Sequence, residues 1–370
     1  MKSLVFVAAF LAVAFWYWGI RFVSTILIIS FLVFFHELGH FLVAKYFKVC
    51  VKVFSIGFGE KLFIKKIDDT EYAISAIPLG GYVQLKGQND ADPSERNYDP
   101  DSYNSLSPIK RIAILFAGPF FNIILAFLLY IGVGFLGTDK YAPIVGSVLE
   151  GSAAQSANIQ KGDQIIAING IQIKEWDEIK PLIGLNPVHL EILRQNEIIN
   201  LNLTPKISDS KNIFGENIRT PLIGIRPSGE FVKIYHTGFD SIKFAFDETI
   251  KASKLTYQGL YKVIEGVVSP KDLGGIVAIA DITTKASAIG ISVLFMITAL
   301  ISVNLGLLNL LPLPVLDGGH IVFNLYEMIF RREVNEKVFV ALSYGSMALL
   351  LMLMAFTIIN DILRLSGAYN

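Results

Sequence analysis

The sequence predicts a polytopic α-helical membrane protein, with about four core transmembrane helices and an inserted α/β domain. Three observations carry this expectation. Of 370 residues, 53% are hydrophobic and only 17% charged, against roughly 25% charged in a soluble domain. Four apolar stretches, 22–47, 109–136, 286–311 and 338–363, reach the roughly 20 residues needed to cross hydrocarbon as a helix. Between the second and third, the pattern changes to short strands and turns.

Taken in order, the chain opens on an apolar run at 4–20 behind Lys2, with Trp16, Tyr17 and Trp18 near its end. Aromatic clusters of this kind suit a membrane interface. The run reads either as a signal-like segment or as an extra helix before the first span. After that span comes a loop rich in Lys and Arg, including Lys45, Lys48, Lys52, Lys61, Lys65, Lys66, Lys86 and Arg96. Arg331, Arg332 and Lys337 precede the last span. Positive residues near span ends mark the cytoplasmic side, so both loops are expected there and the segment between spans two and three outside. The predicted divisions are an N-terminal hydrophobic segment (1–21), a first membrane part (22–136), a small α/β domain (143–206), a linker with an amphipathic helix (207–285) and a second membrane part (286–370).

In the α/β domain, β runs are expected at 144–149, 164–169, 188–193 and 198–203, with short helices at 152–158 and 176–183. The alternation of Ile199, Leu201 and Leu203 with Asn200 and Asn202 has the period of two of a half-buried strand. In the linker, Phe239, Ile242, Phe246, Ile250, Tyr257, Leu260 and Ile264 recur every three or four residues, with lysines between them. That is an amphipathic helix, suited either to the membrane surface or to packing on the soluble domain.

Charge and cysteine content narrow the function. The 32 Lys+Arg and 32 Asp+Glu cancel, which excludes a general field for nucleic acid. The single cysteine, Cys50, makes neither an intramolecular disulfide nor a cysteine-based metal site. Any metal must be held by His and carboxylate. His36-Glu37-Leu38-Gly39-His40 supplies this chemistry, because residues four apart share a helix face and both imidazoles can meet one ion. Ionisable groups inside an apolar span are expensive and usually mark function. Imidazole suits zinc, and Glu37 beside it can take a proton from the attacking water. A third protein ligand is needed, and Asp317 is the candidate. It lies in a stretch broken by Pro312, Pro314, Gly318 and Gly319, tolerated at membrane depth only where the backbone is buried or lines a wet cavity. The competing reading of Asp317 is a helix cap. His320 is a fourth donor or a nearby hydrogen-bonding group.

On these motifs the chain resembles the site-2 protease family of intramembrane zinc metalloproteases, in its bacterial RseP-like branch with one PDZ domain. His36 to His40 matches the family's HExxH, and Asn309 to Asp317 its NxxPxPxLDG. Gly118, Pro119 and Asn122 match GPxxN, and the stretch from Ile77 to Val83 resembles the family's membrane-dipping hairpin segment. The likeness implies that His36, His40 and Asp317 hold Zn2+, that Glu37 is the general base, and that Asn309 helps hold substrate or polarise its carbonyl. The run from Ser152 through Gly162 and Asp163 to Gly170 resembles a PDZ module. The resemblance further implies a bacterial inner (cytoplasmic) membrane location with the PDZ-like domain on the periplasmic side. Its partners would be the lipid bilayer, single-pass membrane protein substrates such as an anti-sigma factor or signal-peptide remnant, and an upstream site-1 protease acting first. The 4–20 run lies upstream of the family's usual first span, and residues 84–88 receive no role. Competing readings are a non-catalytic membrane scaffold that binds partners through the PDZ-like domain, and a transporter with Asp317 as an ion site.

Overall fold

The computed structural model describes residues 25–88, 97–269, 271 and 274–366. The apolar run at 4–20 lies outside them. The chain divides into two compact units.

The larger unit holds four helices that are long and apolar enough to cross a membrane: α1 (Thr25–Tyr46), α2 (Pro108–Leu136), α7 (Ile291–Asn309) and α9 (Glu336–Leu365). The third span is shorter than the 286–311 expected. Gly290 ends a separate helix, α6 (Ile276–Ile289), and α7 starts afresh one residue later. Between α1 and α2 runs a hairpin of β1 (Val51–Ile67) and β2 (Thr70–Leu85). Each long strand bends at glycine, β1 at Gly57 and Gly59, β2 at Gly80, all with positive φ. The bends fold two strands into four short segments. Residues 51–56 pair with 81–85 on one side and with 71–74 on the other, while 61–67 pair with 70–75. Segment 81–85 is therefore an edge. At the β2 bend, the Ser30 hydroxyl of α1 donates to the Pro78 carbonyl.

Helix α5 (Phe239–Ile264) forms as its periodicity predicts, but the large apolar residues are not its packing face. Ser241, Ala245, Thr249 and Ala252 are buried instead. Ala245 and Ala252 pack against Ala126, Tyr130 and Val133 of α2 and Ala299 and Val303 of α7. Small residues let helix backbones approach closely. Phe239, Ile242, Phe246, Tyr257 and Ile264 stay exposed.

The smaller unit comprises 134–237 and 262–268. Its four-stranded antiparallel sheet has the order β6 (Ile171–Gln172), β5 (Gln164–Ile168), β7 (Val188–Arg194), β8 (Glu197–Leu203). Two short helices, α3 (Ala153–Ser156) and α4 (Ile179–Leu182), cover a core that includes Val145, Ile165, Ile168, Leu190 and Ile192. Ser152 caps α3 by accepting from the Gln155 amide at 3.2 Å. The segment after 206 is structured too. β9 (Lys206–Lys211) and β10 (Asn217–Leu222) form a hairpin, and Ile223 then enters the core at 3% exposure. β11 (Ile225–Pro227) pairs with β4 (Val145–Val148), and β12 (Phe231–Ile234) with β3 (Thr138–Tyr141), so the unit closes on its own entry strand. Asp163, 1% exposed, accepts from both Nε and Nη2 of Arg194 at 2.7 Å and from the Gln160 amide at 2.8 Å. These bonds raise the Arg194 pKa and satisfy a buried carboxylate that would otherwise be costly.

Candidate metal centre

Helix α1 carries His36 and His40 one turn apart, and both rings point toward α2. They fit because α2 has glycine there. A Cβ on Gly118 would lie 2.3 Å from His40 Nε2 and 2.9 Å from His36 Cε1. On α1, between the two histidines, a Cβ on Gly39 would lie 2.3 Å from the Ala117 carbonyl oxygen. Two glycines thus bring the backbones of α1 and α2 together at the histidines.

The third donor arrives from the far end of the chain. After α7 the chain reverses through Pro312 and Pro314 into α8 (Asp317–Phe330). Gly318 and Gly319 make the reversal possible, since a Cβ on either would lie 2.2 Å from a carbonyl oxygen, of Leu310 and Leu313 respectively. Asp317 is the first residue of α8. The cap position belongs to Leu316, so Asp317 is not the cap. Its carboxylate turns to the histidines, with Oδ2 at 3.2 Å from His36 Nε2 and Oδ1 at 3.5 Å from His40 Nε2. The two Nε2 atoms are 3.2 Å apart. One donor atom each from His36, His40 and Asp317 lies within 4.8 Å of the others, so one ion can meet all three.

The groups behind the donors fit a metal as well. His40 Nδ1 is 2.8 Å from the Ile114 carbonyl. A carbonyl only accepts, so Nδ1 carries the proton and Nε2 presents its lone pair to the cluster. Asn122, wholly buried on α2, faces His36 Nδ1 at 3.2 Å. Asn309, the last residue of α7, reaches His36 Nε2 at 3.3 Å. Two imidazoles and one carboxylate are a donor set suited to zinc, with room for a water. The room is a cavity of about 190 Å³, lined by Glu37 and Asn309 beside the three donors and by Val83 and Leu85 of the edge segment. Gln88 and His320 line it too; His320 is not one of the three converging donors. Arg111 of α2 pairs with Glu327 of α8 at 2.6 Å.

All five sequence-predicted residues, His36, Glu37, His40, Asn309 and Asp317, border this one cavity. Sequence spacing assigns no role to Gly118, Asn122 or the Ile114 carbonyl. Only the GPxxN match pointed toward α2, and it named no contact.

This is the site of a metal-dependent hydrolase, set among helices built for a bilayer. The profile of peptidase family M50 matches residues 24–353. The chain belongs to that family, the site-2 protease family of zinc metalloproteases, and it is an integral membrane metalloprotease. A Campylobacter jejuni protein named "Putative zinc metalloprotease" is 50% identical over 367 residues, covering 99% of this chain and 100% of its own length. Proteins of the same name from Helicobacter pylori strain J99 and Clostridium acetobutylicum are 36% and 34% identical. They cover 93% and 92% of this chain and 99% and 96% of their own lengths.

Proposed function

We propose that this chain is a zinc-dependent intramembrane endopeptidase that cuts transmembrane segments of single-pass membrane proteins. The observation that carries the reading is the meeting of His36, His40 and Asp317 at a cavity within the unit of apolar helices. In this account those three residues hold the ion and Glu37 is the general base. Bound there, zinc would supply Lewis acidity toward water and the scissile carbonyl. Glu37 takes the proton of the attacking water and passes it to the leaving amine. Asn309 stands beside His36 and directs its amide at the substrate carbonyl.

A substrate helix resists attack because its carbonyls are tied up in its own hydrogen bonds. Segment 81–85 offers a remedy. It is an edge, and Val83 and Leu85 face the cavity. A substrate pairing there as an added strand is unwound and held extended beside Glu37.

The smaller unit is read as a PDZ domain, supported by the run from Ser152 to Gly170 and by the packing of α3 and α4 on its sheet. In this role it admits substrates already trimmed by a site-1 protease. The Lys- and Arg-rich loops favour an inner-membrane orientation with this unit on the periplasmic side.

The test is cleavage in liposomes. Full-length protein reconstituted with a single-pass substrate should cut it, stop on addition of a zinc chelator and recover with added zinc. Chelator-insensitive cleavage, or none under any zinc condition, would sink the proposal.

A further inference from the structure

We propose that Asn122 is a positioning residue for the metal: its amide oxygen accepts the Nδ1 proton of His36 and so holds Nε2 toward the ion. The inference rests on the reading of His36 as a ligand.

A neutral imidazole that offers one nitrogen to a metal carries its proton on the other, and that N–H needs an acceptor. For His40 the acceptor is the Ile114 carbonyl. For His36, the side chain facing Nδ1 is Asn122, whose Nδ2 lies 3.2 Å away. Asn122 is 0% exposed, and its Oδ1 has no hydrogen-bond partner. A buried, unmatched oxygen is costly, about 1–3 kcal/mol. A half-turn of the amide exchanges its oxygen and nitrogen in place. The oxygen then meets Nδ1–H and gains the donor it lacks.

The rest of the site holds Asn122 where this exchange is useful. Ser302 of α7 donates its hydroxyl to the Asn122 backbone carbonyl at 2.8 Å. Gly306, one turn on, leaves room for it: a Cβ there would lie 3.3 Å from Asn122 Cβ and 2.8 Å from the Pro119 carbonyl oxygen. Asn309 follows on the same helix and reaches the other side of the His36 ring. Helix α7 therefore brackets His36, seating Asn122 behind it and Asn309 before it. Gly118, one turn before Asn122, also lies against the His36 ring, where a Cβ on it would fall 2.9 Å from His36 Cε1, so the experiment must separate its carbonyl from Asn122 as acceptor.

Zinc affinity decides it, measured by competition with a chromophoric chelator on purified full-length protein. Asn122→Leu keeps the volume and removes the acceptor. Asn122→Asp keeps an acceptor and a similar shape. We expect Asn122→Leu to bind zinc about 10–100-fold more weakly, and Asn122→Asp to stay within about threefold of wild type, as for groups that orient a ligand histidine. Helix content by circular dichroism should match across the three proteins. Wild-type affinity in Asn122→Leu would overturn the proposal, because the Gly118 carbonyl then suffices. Equal loss in both variants would overturn it as well, leaving only a packing role. A wild-type protein that takes up no zinc would overturn the ligand assignment itself, and this proposal with it.

Discussion

His36 and His40 were legible as a pair because an α-helix places residues four apart on one face. Their environment was not. Gly118 lies 78 residues beyond His40 in sequence, and its role depends on where α1 crosses α2. Gly118→Ala should therefore disable the site without touching a donor. A Cβ 2.3 Å from His40 Nε2 forces a ring to move, and we expect zinc binding and cleavage to fall together. Normal zinc content in that variant would refute the crossing geometry. Asp317 offers a second test of the donor set. Asp317→Asn keeps size and one oxygen but loses charge, so zinc affinity should drop, with activity partly restored by excess zinc. Asp317→Ala should not recover. Zinc titration of both variants checks this, and a silent Asp317→Asn would refute the ligand assignment.

Among the elements, α8 brings the third donor, and what anchors it is the pair of Arg111 and Glu327. Arg111 is 7% exposed and also donates to the Leu106 carbonyl at 3.1 Å. Removing one partner of a buried ion pair leaves the other uncompensated, at about 3–5 kcal/mol. Arg111→Met should lower thermal stability by an amount of that order and weaken zinc binding through Asp317. Calorimetry with zinc competition checks both, and unchanged values in both would show that α8 is held otherwise. The strands and helices from 144 to 203 could be read in advance because alternation and Gly-Asp turn chemistry are local signals. The role of the segment after 206 could not. Its strands β11 and β12 gain meaning only from β4 and β3, whose paired residues lie 77 to 96 positions earlier in sequence. Helix α5 shows the same limit in another form. Periodicity located the helix, but in a membrane protein large apolar residues can face outward while small ones pack.

For the molecule as a whole, every donor lies in the larger unit, and the long stretch of the smaller unit, 134–237, is closed near its two ends by the paired strands β3 and β12. Thr138 sits opposite Ile234, so a short Gly-Ser turn can replace 138–234. We expect the shortened protein to keep zinc and to cut untrimmed substrates more readily. Loss of zinc after excision would mean that the smaller unit supports the site, and would remove the gatekeeper role. In the proposed mechanism Glu37, beside a zinc held by His36, His40 and Asp317, performs the cleavage within a membrane segment. The most direct measurement reconstitutes wild-type and Glu37→Gln protein with a single-pass substrate. It then determines zinc content and maps the cut by mass spectrometry. Wild type should cut inside the apolar segment, while Glu37→Gln, with equal zinc, should lose at least about 100-fold in rate. Cleavage by Glu37→Gln at the wild-type rate, or a cut outside the apolar segment, would contradict the account.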